Sequence, residues 1–234
     1  ALLDLKLILR NKRPRQMLLG ALLLEAFFVF QVVTTTGGEP PPPMLDAFIT
    51  VVFSIVLTGF LGFQYGGFTY AWHGAHFDGL LARAVRPRTL VRSQYATFCV
   101  LCVVGTAVVL PVVGALRPSM IAPMGAFLLY NLGVIPPVLL GLGVWSREAV
   151  ALDQSAFFNY QGNTTATFAG EFLGTLAAMA LPVGLWVALG RSVALVSAAA
   201  LGALVIVLSP FWTRVLERVF HWQRHAMATG FRGE

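Results

Sequence analysis

The stretch MLLGALLLEAFFVFQVV, residues 17–33, carries only two strongly polar side chains, Glu25 and Gln31. A helix of about 20 apolar residues crosses the hydrocarbon core of a bilayer, which is about 30 Å thick. The stretch follows the basic segment KRPR, as the apolar part of a signal peptide would, but it is too long for one and lacks a small-residue cleavage site. It therefore predicts a membrane-anchoring helix.

Five further apolar runs follow this stretch, and short polar segments separate them. Charged residues make up only 11% of the 234-residue chain, where a soluble domain carries about 25%. The mean hydropathy is +0.77. The sequence therefore predicts an all-α fold, a polytopic membrane bundle of six transmembrane helices, with a kink at Pro136-Pro137. The predicted spans are about 17–33, 47–69, 95–115, 120–145, 169–189 and 193–213.

The segments on either side of the bundle are basic. Residues 1–16 alternate leucines with lysine and arginine, which is typical of an amphipathic helix that lies at the membrane surface. The predicted organisation is therefore an interfacial helix over 1–16, a six-helix membrane domain over 17–213 and a basic cytoplasmic tail over 214–234.

Lysine and arginine are distributed unequally between the two sides of this bundle. Fourteen of the 16 lie on the side of the termini, and the two others lie in the opposite loops. Cytoplasmic loops are enriched in these residues, so both termini and the two longer loops are predicted to be cytoplasmic. The net charge of +6 does not indicate a nucleic-acid-binding protein, because the basic residues lie between apolar spans. The fourteen are Lys6, Arg10, Lys12, Arg13, Arg15, Arg83, Arg86, Arg88, Arg92, Arg147, Arg214, Arg218, Arg224 and Arg232, and the two are Arg117 and Arg191.

Among the polar residues within predicted spans, Glu25, Gln31 and Glu171 are the candidate site residues. A charge at the depth of Glu25 costs roughly 2.5–3.5 kcal/mol, so we expect this side chain to face the bundle or a partner. Two interpretations of Glu25 remain open, a contact with substrate or protons and a protonated carboxyl that is hydrogen-bonded inside the bundle. Glu171 begins span 5, where a helix N-terminus favours a negative charge.

Two groups of histidines have spacings that metal sites also use. His73, His76 and Asp78 are close in sequence, and His221 and His225 have the i, i+4 spacing of zinc ligands on a helix. Neither group has a further ligand cluster nearby, so we predict no metal. The chain also lacks the GxxxxGK[ST] phosphate-binding loop and cannot bind ATP by that motif. We therefore expect no cofactor in this chain.

The loop after span 2 contains a second amphipathic stretch, about Phe77–Val85. Its apolar residues recur at spacings of three and four, arginines flank it, and Pro87 ends it. Such a helix would lie at the membrane surface and present a face to a cytoplasmic protein. The candidate docking residues are Phe77, Asp78, Leu80, Leu81, Arg83 and Arg86.

Several blocks of the sequence resemble one bacterial family, the ABC-2-type exporter permease-like membrane proteins. The blocks are LILRNKRPRQ (7–16), FQYGGFTYAWHGAHFDGLLAR (63–83), FLLYNLGV (127–134), SAFFNYQG (155–162) and GFR (230–232). They occur in order over nearly the whole chain. The resemblance implies that the chain corresponds to the C-terminal six-span half of longer members.

The resemblance also implies a function and partners. It implies a permease in the bacterial inner membrane, whose helix at Phe77–Val85 docks on a separate cytoplasmic ATPase that holds ATP and Mg²⁺. A second six-span half or a homodimer and membrane lipids complete the expected partners. The chain departs from the general ABC-2 plan after span 5, where GRS leaves no room for a re-entrant hairpin.

An alternative of another class is a structural or accessory membrane subunit that does not transport. An enzyme ranks third, because no complete catalytic set is visible in the sequence. Substrate, direction of transport and the identity of the partner stay open at this point.

Overall fold

The computed structural model describes residues 2–34, 42–83, 85–153 and 165–233. These residues are almost entirely helical, and no strand occurs among them. Two short 3-10 helices, Ala71–His76 and Pro118–Met120, interrupt the α-helices. The α-helices are α1 Leu2–Arg10, α2 Lys12–Thr34, α3 Pro43–Gly66, α4 Phe77–Ala82, α5 Pro87–Leu116, α6 Ile121–Gly133, α7 Ile135–Gly143, α8 Thr165–Leu189, α9 Arg191–Val207 and α10 Ser209–Arg232.

Four stretches of the described chain are long and apolar enough to cross a membrane: Lys12–Thr34, Pro43–Gly74, Pro87–Leu116 and Pro118–Gly143. A fifth arises if α9 and α10, which are bent by 62° relative to each other, are counted as one span. The described part of α8 adds a shorter apolar helix, Leu176–Leu189. The chain is thus a multi-pass helical membrane protein, and the number six stays a prediction.

Helix boundaries differ from the sequence-based expectations at two places, and at a third the expected kink near Pro136-Pro137 is present. α5 begins at Pro87, before the expected start at 95, because proline suits the first turn of a helix, where no N–H donor is needed. The expected span 4 is two helices that meet at Val134, next to the Pro136-Pro137 pair, because consecutive prolines lack the donors that would continue the helix. The expected tail after 213 is helical and belongs to α10.

α3 lies at the centre of the bundle and packs against α2, α5, α6, α7 and α8. α6 contacts α3 and also packs closely along α9. Gly133 and Gly202 make this possible, because a Cβ on either would overlap the backbone of the opposite helix. The interface between α6 and α9 therefore depends on small residues, as helix contacts in membranes commonly do.

The two arginines of the expected external side, Arg117 and Arg191, each bond a backbone carbonyl at one end of the bundle. α8 and α9 are joined by Gly190 alone, whose φ of +89° suits glycine. Arg191 begins α9, donates to the Ser119 carbonyl at 2.7 Å and stacks over the Trp186 ring. Arg117 donates to the Val32 carbonyl at 2.6 Å. Both guanidinium groups thus satisfy backbone carbonyls at helix ends.

The opposite end is assembled from segments that are distant in sequence. The Arg13 backbone N–H donates to the Leu152 carbonyl, and the Val150 N–H donates to the Ala71 carbonyl. One packed layer is therefore formed by three segments: the loop after α3, the segment after α7 and the start of α2.

Candidate functional site

The intramembrane carboxyl of Glu25 lies inside the bundle. Its side chain, in the middle of α2, is 2% exposed. The neighbouring helix offers it space, because a Cβ placed on Gly105 of α5 would be only 3.4 Å from its Oε1 atom. Oε2 has no hydrogen-bond partner among the described residues. The bundle therefore holds a carboxyl group whose hydrogen-bonding capacity is partly unused.

Small polar side chains of α3, α5 and α6 also lie inside the bundle and hydrogen-bond to one another or to helix carbonyls. Asn131 Nδ2 donates to the Ile55 carbonyl at 2.9 Å and to Thr58 Oγ1 at 2.8 Å. Thr106, next to Gly105, donates to the Cys102 carbonyl at 2.8 Å. Helices α2, α3, α5 and α6 each contribute to this set. We call Glu25, Ser54, Thr58, Thr106 and Asn131 the Glu25 track.

The track retains unused polar atoms besides the Glu25 carboxyl. Ser54 Oγ and Asn131 Oδ1 are both buried and lack a partner in the part of the chain that the structure describes. Unpaired polar groups inside a protein are costly and rare. The track therefore keeps capacity for further hydrogen bonds.

The two other polar site residues that the sequence predicts, Gln31 and Glu171, do not belong to the track. Gln31 is half-buried near the end of α2, six residues beyond Glu25. Glu171 belongs to α8, and its side chain lies outside the described residues. Only Glu25 of the three is therefore placed in the track by the described coordinates.

Helix α4 is attached to α10 by its first two residues. The Phe77 side chain is 2% exposed, and its ring centroid lies 6.1 Å from that of Phe220 and 5.1 Å from that of Phe231. Asp78 accepts two hydrogen bonds, from Nε and Nη2 of Arg232, both at 2.9 Å. The segments HFDG and GFR, distant in sequence, thus form one contact. We call α4 and the C-terminal part of α10 the α4–α10 platform.

The remaining docking candidates divide by exposure. Leu80 and Leu81 are half-buried, and Leu81 packs on the apolar cluster beneath α4. Arg83 and Arg86 are exposed, as is Ala82. Phe77 points into the core and is not part of the exposed surface. The exposed face therefore consists of Asp78, Gly79, Ala82 and Arg83. α4 ends at Ala82, short of the expected end at Val85, because the backbone leaves the helical conformation at Arg83.

The segment after α7 packs against the α10 part of the platform. Arg147 Nη2 donates to Gln223 Oε1 of α10 at 2.5 Å. Gly230 lies directly against Arg147, since a Cβ there would be 2.6 Å from the Arg147 carbonyl oxygen. Burial lowers the pKa of Arg147, and its hydrogen bond compensates part of the lost hydration. The block SAFFNYQG, which follows this segment, lies outside the described residues.

A second buried carboxyl, Asp4, was missed by the sequence analysis. It lies on α1 and is 2% exposed. His73 Nε2 lies 3.0 Å from its Oδ1 atom, and Ser93 Oγ donates to its Oδ2 atom at 2.5 Å. Thr97 Oγ1 is 3.4 Å from the same Oδ2 atom. We call these four residues the Asp4 cluster.

The charge state of Asp4 follows from its neighbours. Burial would raise its pKa, but hydrogen bonds from His73 and Ser93 outweigh burial, and the pKa is lowered. Asp4 is therefore an ionised acceptor at neutral pH, and His73 Nε2 must be the donor in their bond. No local feature of the sequence pointed to Asp4, because its partners His73 and Ser93 are distant along the chain.

The histidines whose spacings resemble those of metal sites are dispersed. His73 points inward to Asp4, whereas His76 is exposed and Asp78 pairs with Arg232. His221 and His225 are exposed on α10. Within the described ranges, no group of three or more His, Cys, Asp or Glu side chains is placed to hold a metal ion.

A helical bundle with apolar spans, a buried carboxyl track and a helical platform at one end defines a multi-pass integral membrane protein. The chain belongs to the family described as "Family of unknown function (DUF5687)", whose sequence model matches residues 1–234. No curated protein and no solved structure matches the chain.

Proposed function

We propose that this chain is the permease half of an ATP-driven exporter of the ABC-2 type, which couples to a separate cytoplasmic ATPase through α4. The proposal comprises six spans, with α1 as an interfacial helix, in the bacterial inner membrane. Both termini lie in the cytoplasm, where the fourteen lysines and arginines concentrate. ATP and Mg²⁺ bind to the partner, and a second half or a second copy completes the pathway.

The observation that carries the proposal is the attachment of α4. A helix that transmits the motion of an ATPase must be joined firmly to the bundle on one side and be free on the other. Phe77 is buried against Phe220 and Phe231, and Asp78 is held by Arg232. On the opposite side, Ala82 and Arg83 are exposed. A docked ATPase would therefore move α4 and α10 together.

The Glu25 track supplies the part of the proposal that concerns transport. Transport requires polar contacts at the depth of the hydrocarbon core, where an ionisable residue indicates a pathway. Glu25 Oε2, Ser54 Oγ and Asn131 Oδ1 are buried atoms with unused hydrogen-bonding capacity within the described ranges. We assign them to contact with the transported molecule or with a proton.

One observation favours the accessory-subunit alternative. α8 ends at Leu189 and α9 begins at Arg191, so that Gly190 alone joins them. The general ABC-2 plan places a re-entrant hairpin at this point as part of the external gate. A bundle without this element suits a subunit that braces another membrane complex.

Co-purification from a mild detergent distinguishes the two functions. The wild-type chain is expected to retain an ATP-binding cassette ATPase in stoichiometric amounts. The change Leu80→Asp with Arg83→Glu removes it, because it places acids on α4 at the half-buried Leu80 and at the exposed Arg83. The matched control is Leu9→Asp with Arg10→Glu on α1, where both residues are exposed, and it keeps the ATPase.

Arg83→Glu alone separates loss of docking from loss of folding, since Arg83 is exposed and has no packing role. It is expected to weaken the ATPase complex while the chain elutes as a single species in gel filtration. Stoichiometric recovery of another membrane complex, with no ATPase, supports the accessory subunit and contradicts the permease.

A further inference from the structure

Helix α10 presents three different faces along its length. One face is buried in the bundle, and a second face is apolar but exposed. A third face, between these two, is basic. The buried face comprises Thr213, Leu216, Phe220, Gln223 and Met227, the exposed apolar face comprises Phe211, Val215 and Trp222, and the basic face comprises Arg214, Arg218 and His221 with Glu217.

The exposed apolar face is too apolar for water. Phe211 is 67% exposed and Trp222 is 74% exposed. The Trp222 ring also lies 6.3 Å, centroid to centroid, from Trp145, which is itself 48% exposed. Tryptophan is enriched where hydrocarbon meets the headgroups. An exposed aromatic face of this kind suits a membrane interface, and the 62° bend gives α10 a direction different from that of α9.

The basic face borders a cleft that the start of α5 closes on the other side. The cleft measures about 510 Å³. We call it the basic cleft. Its lining residues are Pro87, Arg88, Arg214, Glu217, Arg218 and His221.

The guanidinium groups of the basic cleft are available to a ligand. Arg88, Arg214 and Arg218 form no ion pair or side-chain hydrogen bond within the part of the chain that the structure describes. Glu217 offsets one of the three positive charges, so the cleft keeps a positive balance. Guanidinium groups match phosphate oxygens with paired N–H donors. An anion in the cleft would therefore relieve the mutual repulsion of these arginines.

We propose that the basic cleft binds the phosphate of an anionic phospholipid. The lipid's acyl chains would then lie against Phe211, Val215 and Trp222. A free phosphate compound would use the arginines but would leave the adjacent apolar face unexplained. A lipid uses both faces, which is the arrangement of an interfacial helix with basic and aromatic sides. The site is separate from α4 and does not depend on the proposed transport function.

Native mass spectrometry of the detergent-solubilised full chain tests the site. Phosphatidylglycerol and phosphatidylcholine are added separately at equal concentration. The wild-type chain is expected to retain one phosphatidylglycerol more firmly than phosphatidylcholine. The triple change Arg88→Gln, Arg214→Gln and Arg218→Gln removes this preference, since each arginine contributes roughly fivefold to binding of an anionic lipid.

The matched control removes the same charge from the same side of the protein. Arg10→Gln, Lys12→Gln and Arg15→Gln alter three exposed residues outside the cleft and are expected to leave the preference intact. Glu217→Gln is expected to have the opposite effect on lipid binding. It removes the negative charge among the residues that line the cleft, so phosphatidylglycerol binding should increase severalfold.

Three results would overturn the lipid assignment. The first is an equal loss of the preference in the control triple, which would indicate general surface charge. The second is release of the lipid by excess inorganic phosphate alone, which would indicate a site for free phosphate. The third is unchanged preference in the cleft triple while that variant remains monodisperse and folded.

Discussion

Asp78 and Arg232 are separated by 154 positions and form an ion pair through two hydrogen bonds of 2.9 Å. Arg232 is the last residue of α10, and Asp78 is the second residue of α4. The pair therefore joins the first long loop to the end of the last helix. It stands beside the buried contact of Phe77 with Phe231, so an apolar and an ionic contact close the same junction.

Removal of this ion pair is expected to loosen the junction without unfolding the bundle. Both side chains are about half-exposed, and exposed ion pairs contribute little to global stability. Asp78→Asn should therefore leave the melting temperature almost unchanged. Amide hydrogen exchange in α4 and the last turns of α10 should accelerate. Unchanged exchange in both segments would show that Phe77 alone holds the platform.

Loss of the Asp4 carboxylate is expected to destabilise the whole protein. Asp4→Asn removes a charged acceptor that His73, Ser93 and Thr97 surround. Hydrogen bonds to a charged group contribute roughly 1.5–3 kcal/mol each, so the melting temperature should fall by several degrees. Asp46→Asn is the control, since Asp46 lies near the N-terminus of α3 at the other end of the bundle.

The same cluster predicts a pH dependence with a definite sign. Because the folded state lowers the pKa of Asp4 below its unfolded value of about 3.9, its stabilisation is complete above that value. It is lost as the pH falls further, through the folded pKa. The difference in melting temperature between wild type and Asp4→Asn should be constant near neutral pH and narrow below about pH 4. A difference that grows on acidification would contradict this sign.

The contact between α6 and α9 is expected to tolerate no added methyl group. Gly202→Ala places a Cβ against the backbone at Leu129 and Tyr130, and overpacking of this kind costs typically 1–3 kcal/mol. Gly125→Ala, in α6 itself, meets open space and should be neutral or slightly stabilising. Thermal melting in detergent compares the two variants. Equal melting temperatures of the two variants would show that α6 and α9 lie farther apart than the contact at Gly202 indicates.

The apolar runs predicted most of the helices, because hydropathy over about 20 residues is a local property. Hydropathy does not reveal where a long helix breaks, and the Val134 break had to be inferred from Pro136-Pro137. Hydropathy also does not reveal an amphipathic helix that packs on the bundle. For this reason α10 was interpreted as a tail, although its buried face includes Leu216 and Phe220.

The candidate site was only partly predictable for a related reason. Glu25 stood out because a carboxyl in a leucine run has one physical meaning, a side chain that avoids lipid. Its neighbours Thr58 and Asn131 are ordinary residues of their spans, and only the packing of α3 against α6 brings them together. Asp4 was unremarkable in sequence, because its partners His73 and Ser93 are about 70 and 90 positions away.

Glu25 is expected to react with a carbodiimide that partitions into the membrane. Such reagents modify carboxyl groups in apolar surroundings, and the Glu25 carboxyl has an unused oxygen inside the bundle. Mass spectrometry should locate the adduct in the peptide of α2. Glu25→Gln should fold, lack the adduct and alter the ATPase activity of the co-purified complex. A folded Glu25→Gln variant with wild-type ATPase activity would contradict a functional role of the track.

Photo-crosslinking from α4 in living cells tests the central claim most directly. A photoreactive amino acid at Ala82 lies on the exposed face of α4, and the same amino acid at Ser119 lies at the opposite end of the bundle. The account predicts that the Ala82 position crosslinks to an ATP-binding cassette ATPase and that the Ser119 position does not. Crosslinks from Ala82 exclusively to another integral membrane protein would contradict it.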